Sequence, residues 1–108
     1  MNRNDTHSLG HSSIEAARHL GALVRRARLA RGWTLAELAE RSRVSLATIK
    51  RIEAGASSAS LASWLLLFER LGLLPKLRAL EDPASEALLN ETRAKRARRK
   101  SAKQDLDF

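Results

Sequence analysis

The stretch from Thr34 to Gly55, Thr-Leu-Ala-Glu-Leu-Ala-Glu-Arg-Ser-Arg-Val-Ser-Leu-Ala-Thr-Ile-Lys-Arg-Ile-Glu-Ala-Gly, constrains the fold more than any other part of the chain. It holds two short helix patterns with almost nothing between them. Thr34 with Glu37 forms a capping box, in which each side chain bonds the other residue's amide. Leu35, Leu38 and Ala39 then share one face. Ser45 is the second cap, Thr48, Ile49 and Ile52 follow at helical spacing, and Gly55 is a left-handed stop. Only Ser42, Arg43 and Val44 separate the two patterns. So short a connection fixes the angle between the helices and holds the second at the surface with one face free.

The flanking segments supply a core for this pair. Ser12 with Glu15 repeats the capping-box pattern and predicts a helix from there to about Arg31, ended by Gly32. Its stripe is Leu20, Val24 and Ala27, widened by Ile14, Ala17 and Leu23. Arg25, Arg26 and Arg31 read as a solvated basic face. Arg28 sits beside the stripe and needs a partner if it is partly buried. Trp33 reads as a core plug, since a lone aromatic makes a poor base-stacking platform. Ser60 caps a fourth helix over about Leu61–Leu71, with Leu61, Trp64, Leu65, Phe68 and Leu71 as its core face. Leu66 and Leu67 carry apolar character around the cylinder. Either neighbouring helices cover that extra surface or a second copy does, and Trp64, Leu66 and Leu67 are the expected interface residues. A short fifth helix, Pro75–Leu80, packs back through Leu73, Leu74, Leu77 and Leu80.

The expected architecture is therefore all-α, a compact five-helix domain over residues 12–81 between a disordered tail, 1–11, and a basic tail, 82–108. Asp82-Pro83 marks the domain boundary. Residues 85–103 are good helix formers that repel one another, which leaves this tail disordered or partly helical. His7 and His11 have the spacing of helical metal ligands, but no third ligand is near and the segment reads as a floppy tail.

Charge limits the classes of function. The chain has 20 Lys+Arg and 12 Asp+Glu, a net charge of +8, so polyanions are the favoured partners. Seven of the cations (Arg93, Lys95, Arg96, Arg98, Arg99, Lys100, Lys103) fall in the C-terminal tail. With no cysteine there is no disulfide framework and no thiolate site, which fits a cytoplasmic protein. The longest apolar run, Trp64 to Phe68, is too short to span a bilayer, and the N-terminus lacks a secretion signal. No metal cluster, nucleophile–base pair or phosphate-cradling loop is present, and His19 has no evident catalytic partner. An enzyme is the least favoured class, with no catalytic residue, metal or cofactor expected.

Taken together, Arg28-x3-Gly32, Leu38-Ala39, Ile49 and Ile52-Glu53-x-Gly55 within residues 18–73 resemble the Cro/λ-repressor (XRE) family of helix-turn-helix regulators. The resemblance implies a λ-repressor-like bundle that acts as a homodimer on double-stranded DNA, most often as a repressor. It places the second helix of the pair in the major groove. By position, Ser45, Leu46, Ala47 and Arg51 then face the bases, with Lys50 at the groove wall and Thr48 at its edge. Arg41 and Arg43 join the DNA-contacting set. Arg51 suits a guanine, whereas Leu46 and Ala47 suit a thymine methyl. The family pattern also pairs Arg28 with Glu53, tying the first helix to the reading helix.

Three positions depart from the family. Arg43 stands where glycine is usual, Leu35 removes a phosphate clamp, and Leu46 replaces a polar base reader. They shift weight from base readout towards charge, and the basic tail would add contacts along the backbone if it is more than a solvated tail. The Leu-Leu and Arg/Lys-rich end also resembles HipB-like antitoxins, which bind both an operator and a kinase-like toxin. A non-specific nucleic-acid binder is the third class.

Overall fold

The computed structural model describes residues 9–106. The expectations for His7 and for most of the N-terminal tail lie outside that range. The described residues form six helices and no strand: α1 (His11–Ala30), α2 (Leu35–Ser42), α3 (Leu46–Glu53), α4 (Leu61–Arg70), α5 (Leu74–Arg78) and α6 (Pro83–Leu106). The chain divides into two units, Met1–Leu77 and Arg78–Phe108.

In the first unit α1 starts two residues earlier than the Ser12 cap would place it. Gly10 is the N-cap without a side-chain bond, and Ser12 lies inside the first turn. Glu15 therefore does not close a capping box. It pairs with Arg18 at 3.0 Å on the exposed surface. The other end follows the expectation. Gly32 donates to the Leu29 carbonyl at 2.9 Å and Trp33 to that of Arg28 at 3.2 Å, the two bonds of a Schellman ending.

Both caps of the central pair are formed. Glu37 donates its amide to Thr34 Oγ1 at 3.1 Å, and the Thr34 amide reaches Glu37 Oε1 at 3.2 Å. At the next helix the Thr48 amide donates to Ser45 Oγ at 3.1 Å. Ser42, expected between the helices, ends α2 and is buried. Its hydroxyl accepts from the Val44 amide at 3.2 Å, so a polar group inside the turn keeps a partner.

The core consists of Val24, Leu38, Val44, Ile49, Ile52, Leu67, Phe68 and Leu71. Each helix of the unit up to α4 contributes, and Leu74 and Leu77 of α5 pack against it. Trp33 is half-buried against the same cluster. The apolar face of α4 is rotated from the expected one. Leu67 has no exposed surface, whereas Leu61 is 72% and Leu65 39% exposed. Trp64, Leu67, Phe68 and Leu71 have the same helical spacing as the expected set, and periodicity alone does not choose between two such sets on a helix apolar all round. Leu67 is thus a core residue and is corrected as an interface residue. Trp64 is half-buried and meets Phe68 edge to face, ring centres 6.1 Å apart. Leu66 remains 41% exposed.

The fifth helix is shorter and earlier than Pro75–Leu80. Leu80 does not pack back but is 76% exposed, and the first unit ends at Leu77 instead of Glu81.

The second unit is one helix. Asp82 caps it, its carboxylate accepting from the Ala84 amide at 3.3 Å and from Ser85 Oγ at 2.6 Å. These bonds, that from Ser85 first, hold the Asp82 carboxyl below its ordinary pKa. Pro83 takes the first helical position, where its missing N–H leaves nothing unpaired. Residues 83–106 are helical, and among residues 79–104 none is buried.

Candidate nucleic-acid interface

The position of α3 is set from three sides. Arg28 Nε donates to Glu53 Oε2 at 2.8 Å and Nη2 to Oε1 at 2.9 Å, while Nη1 reaches the Trp33 carbonyl at 2.8 Å. Both side chains are more than nine-tenths buried. This two-pronged geometry is the strong form of an ion pair, and it joins α1, the α1–α2 connection and the end of α3. The hydrogen bond to Glu53, helped by its charge and opposed by burial, raises the Arg28 pKa above its ordinary value.

Backbone contact fixes the same helix from a second side. Gly21 of α1 is buried against the Ile52 carbonyl, so closely that a Cβ at 21 would overlap the oxygen. Gly55, at φ +89°, brings the end of α3 onto Arg18, whose Cγ would lie 2.8 Å from an added Cβ. The third constraint is the turn. Arg43 adopts the left-handed conformation at φ 63°, at a cost of about 1 kcal/mol for a residue with a side chain. Its amide bonds the Ala39 carbonyl at 2.9 Å, and Val44 behind it fills the core.

With Ile49 and Ile52 buried, the opposite face of α3 is free. Ser45, Leu46, Ala47, Lys50 and Arg51 are exposed and Thr48 is half-buried. Ser45 Oγ donates to Thr48 Oγ1 at 2.8 Å. Arg51 lies along the same row, with Nη2 3.4 Å from Thr48 Oγ1 and Nη1 3.4 Å from Ser58 Oγ. Ser45, expected to face the bases, and Thr48, expected at the groove edge, thus bond each other, and Thr48 helps to place the guanidinium of Arg51. The face offers one preset cation with five donors, a lysine and an apolar pair.

Ser58 was not among the expected residues. Its loop reads only as small and polar, and the hydroxyl returns to α3 because the left-handed Gly55 reverses the chain. Gly21 was also missed, although a lone glycine inside a helix pattern is a recognisable sign of close packing. Arg41 and Arg43 are exposed, and with Arg70 of α4 they line a hollow beside the turn. The Arg41 guanidinium lies over the Trp33 ring, 4.6 Å from its centre, an attraction between a cation and the ring quadrupole. Trp64 and Leu66 sit on α4 and are not brought together with the α3 row into one site.

Among the described residues no group of His, Asp and Glu could hold a metal ion. No described helix is long and apolar enough to cross a membrane.

Comparison with known protein families gives a match to a helix-turn-helix family over residues 24–76, which takes in the ion pair, α2, the turn, α3 and α4. Neither the curated proteins nor the solved structures gave a significant match. The matched family is a regulatory, DNA-binding one and not a catalytic one. The α3 face therefore belongs to a domain built to meet duplex DNA, and the chain, through residues 24–76, is a DNA-binding transcription regulator of the XRE helix-turn-helix family.

Proposed function

We propose that the chain is a cytoplasmic repressor that binds a two-fold DNA site as a homodimer, with one α3 in each of two successive major grooves. The observation that carries this reading is the exposed row of α3 held on a clamped helix: Arg51 is placed by Thr48 and Ser58 at 3.4 Å while Glu53, two residues on and towards the opposite side of the helix, is fixed by Arg28. A reading residue on a rigid element keeps its aim. Arg51 reads a guanine, Leu46 and Ala47 meet thymine methyls, and Ser45 and Thr48 line the edge of the contact. Lys50, Arg43 and Arg41 neutralise phosphates. Trp64, with the exposed Leu61 and Leu65 beside it, forms the face that meets the second copy, and Leu66, about 160° around α4 and beside Arg41 and Arg43, is a separate candidate contact.

The test is a titration of a selected duplex followed by transcription in vitro. Two chains per duplex at saturation, and reduced transcript when the site overlaps a promoter, are the expected results. One chain per duplex, or increased transcript, would remove the dimer or the repressor role in turn.

A second reading has the same exposed leucines of α4 hold a kinase-like toxin, with DNA binding as autoregulation. Co-purification from the native cell separates the two. A stoichiometric kinase-like protein supports the antitoxin, and its repeated absence counts against it.

A further inference from the structure

The geometry points to α6 as a second DNA-binding helix, lying lengthwise in the major groove of duplex DNA away from the segment read by α3. Seven cations, Arg93, Lys95, Arg96, Arg98, Arg99, Lys100 and Lys103, fall within eleven residues with no acidic residue among them. All seven are exposed. Within α6 only Lys95 has an ion-pair partner among the described residues, Glu91 at 3.4 Å on the surface.

Their placement around the helix selects the ligand. At about 100° per residue, Arg96, Arg99 and Lys103 form a central row, with Arg93 and Lys100 on one side and Lys95 and Arg98 on the other. The charge therefore covers well over half of the cylinder and leaves only the strip of Asn90, Ala94, Ala97 and Ser101 bare. A flat anionic surface or a single strand would meet one side of such a helix. A groove walled by phosphates on both sides meets all three rows.

Dimensions agree with that choice. A helix with side chains is about 10–12 Å across, and the DNA major groove is about 12 Å wide. The deep, narrow major groove of duplex RNA does not admit it. A membrane surface is disfavoured because among the described side chains of α6 there is no apolar face beyond Leu88 and Leu89, both exposed. Beyond its cap and the Glu91–Lys95 pair, the helix has little to hold it. No residue from 79 to 104 is buried, and the cations repel one another at i,i+3 and i,i+4 spacing. The polyanion removes that repulsion.

This inference rests on the reading of the chain as a duplex binder, and the two can fail separately. The full chain is compared with a variant carrying Gln at all seven positions and with Arg96→Gln/Arg99→Gln/Lys103→Gln, Gln being chosen as a good helix former whose retention of α6 is checked by circular dichroism. The probe is a scrambled 20-base-pair duplex over a range of salt, with methylation of guanine N7 as a second readout. Since each neutralised phosphate contributes roughly 0.9 to the slope of log affinity against log salt, the sevenfold variant is expected to lose about 4 or more of that slope. The triple variant is expected to lose N7 protection that the full chain gives. An unchanged slope overturns the assignment to DNA, and a changed slope without N7 protection by the full chain overturns groove entry. Tighter α6-dependent binding of single-stranded RNA of the same length overturns duplex DNA as the ligand. Loss of preference for a selected site in Arg51→Ala belongs to α3 and leaves the α6 assignment standing.

Discussion

Gly21 on α1 lies against the backbone of Ile52 on α3, so that a methyl group at position 21 would overlap the Ile52 carbonyl oxygen and stand 3.2 Å from its carbon. The neighbour is main chain and cannot swing aside as a side chain does. Gly21→Ala improves helix propensity by about 1 kcal/mol, yet overpacking against backbone is expected to outweigh that gain, for a net loss of about 1–2 kcal/mol. Because relief requires α3 to move, DNA affinity should fall as well. Urea denaturation and a binding titration check both, and a variant as stable as the parent would show that the two helices separate without strain.

The Arg28–Glu53 pair gives a second test. Removing one partner leaves the other charge buried, so Glu53→Gln is expected to destabilise the domain by about 3 kcal/mol. Replacing both residues with apolar ones of similar size should restore much of that stability. It should not restore DNA binding to the same degree, since the clamp on α3 is gone. Equal recovery of stability and binding would mean that the pair does nothing to aim the helix.

On the reading face, Arg51→Ala is expected to weaken binding to a selected site by about 1–3 kcal/mol and to relax preference at one position in each half-site. Ser58→Ala should move in the same direction by less, because it loosens Arg51 without removing it. An equal loss on every sequence would place Arg51 on a phosphate.

Acid should act on α6 through its cap. Asp82 accepts bonds from Ser85 and Ala84 that favour its charged form, so its pKa in the helix lies below the ordinary value of about 3.9. The cap's contribution is complete above that ordinary value and is lost as pH falls through the lower, folded one. The amide signals of Ala84 to Glu86 are expected to report unwinding of the first turn in that range. Asp82→Asn, which caps without titrating, should abolish this pH dependence. Its persistence would assign the change to another group.

The central pair was readable in the sequence because three of its four boundaries are marked by a residue with one strong local preference, Thr34 and Ser45 as caps and Gly55 as a left-handed stop, while the end of α2 falls on Arg43, which has no such preference. The Arg28–Glu53 pairing came from the family pattern and needed no spatial knowledge. What was misread required it. At Ser12 the cap pattern was present but the helix had already begun at His11, and a local motif says nothing about whether an earlier turn is closed. On α4 two apolar sets compete at the same spacing, and only packing into the shared core, against α2 above all, places Leu67 inside and Leu61 outside. Asp82-Pro83 was read as a boundary, whereas the same two residues are a cap and a first-turn proline. That reading was available from the sequence, but the repulsion among the cations beyond it left disorder and partial helix both open. Ser58 and Gly21 act across space on Arg51 and Ile52, and nothing in their own neighbourhoods names those partners.

Selection of bound duplexes from a random pool by the full chain tests the role of α3 most directly. If its exposed row reads base edges from a two-fold dimer, the pool converges on an inverted repeat with half-sites about one helical turn apart, and a guanine contacted by Arg51 recurs in each. A pool that shows no enrichment after repeated rounds, while still binding tightly at low salt, would contradict base readout by α3 and leave charge as the whole of the interaction.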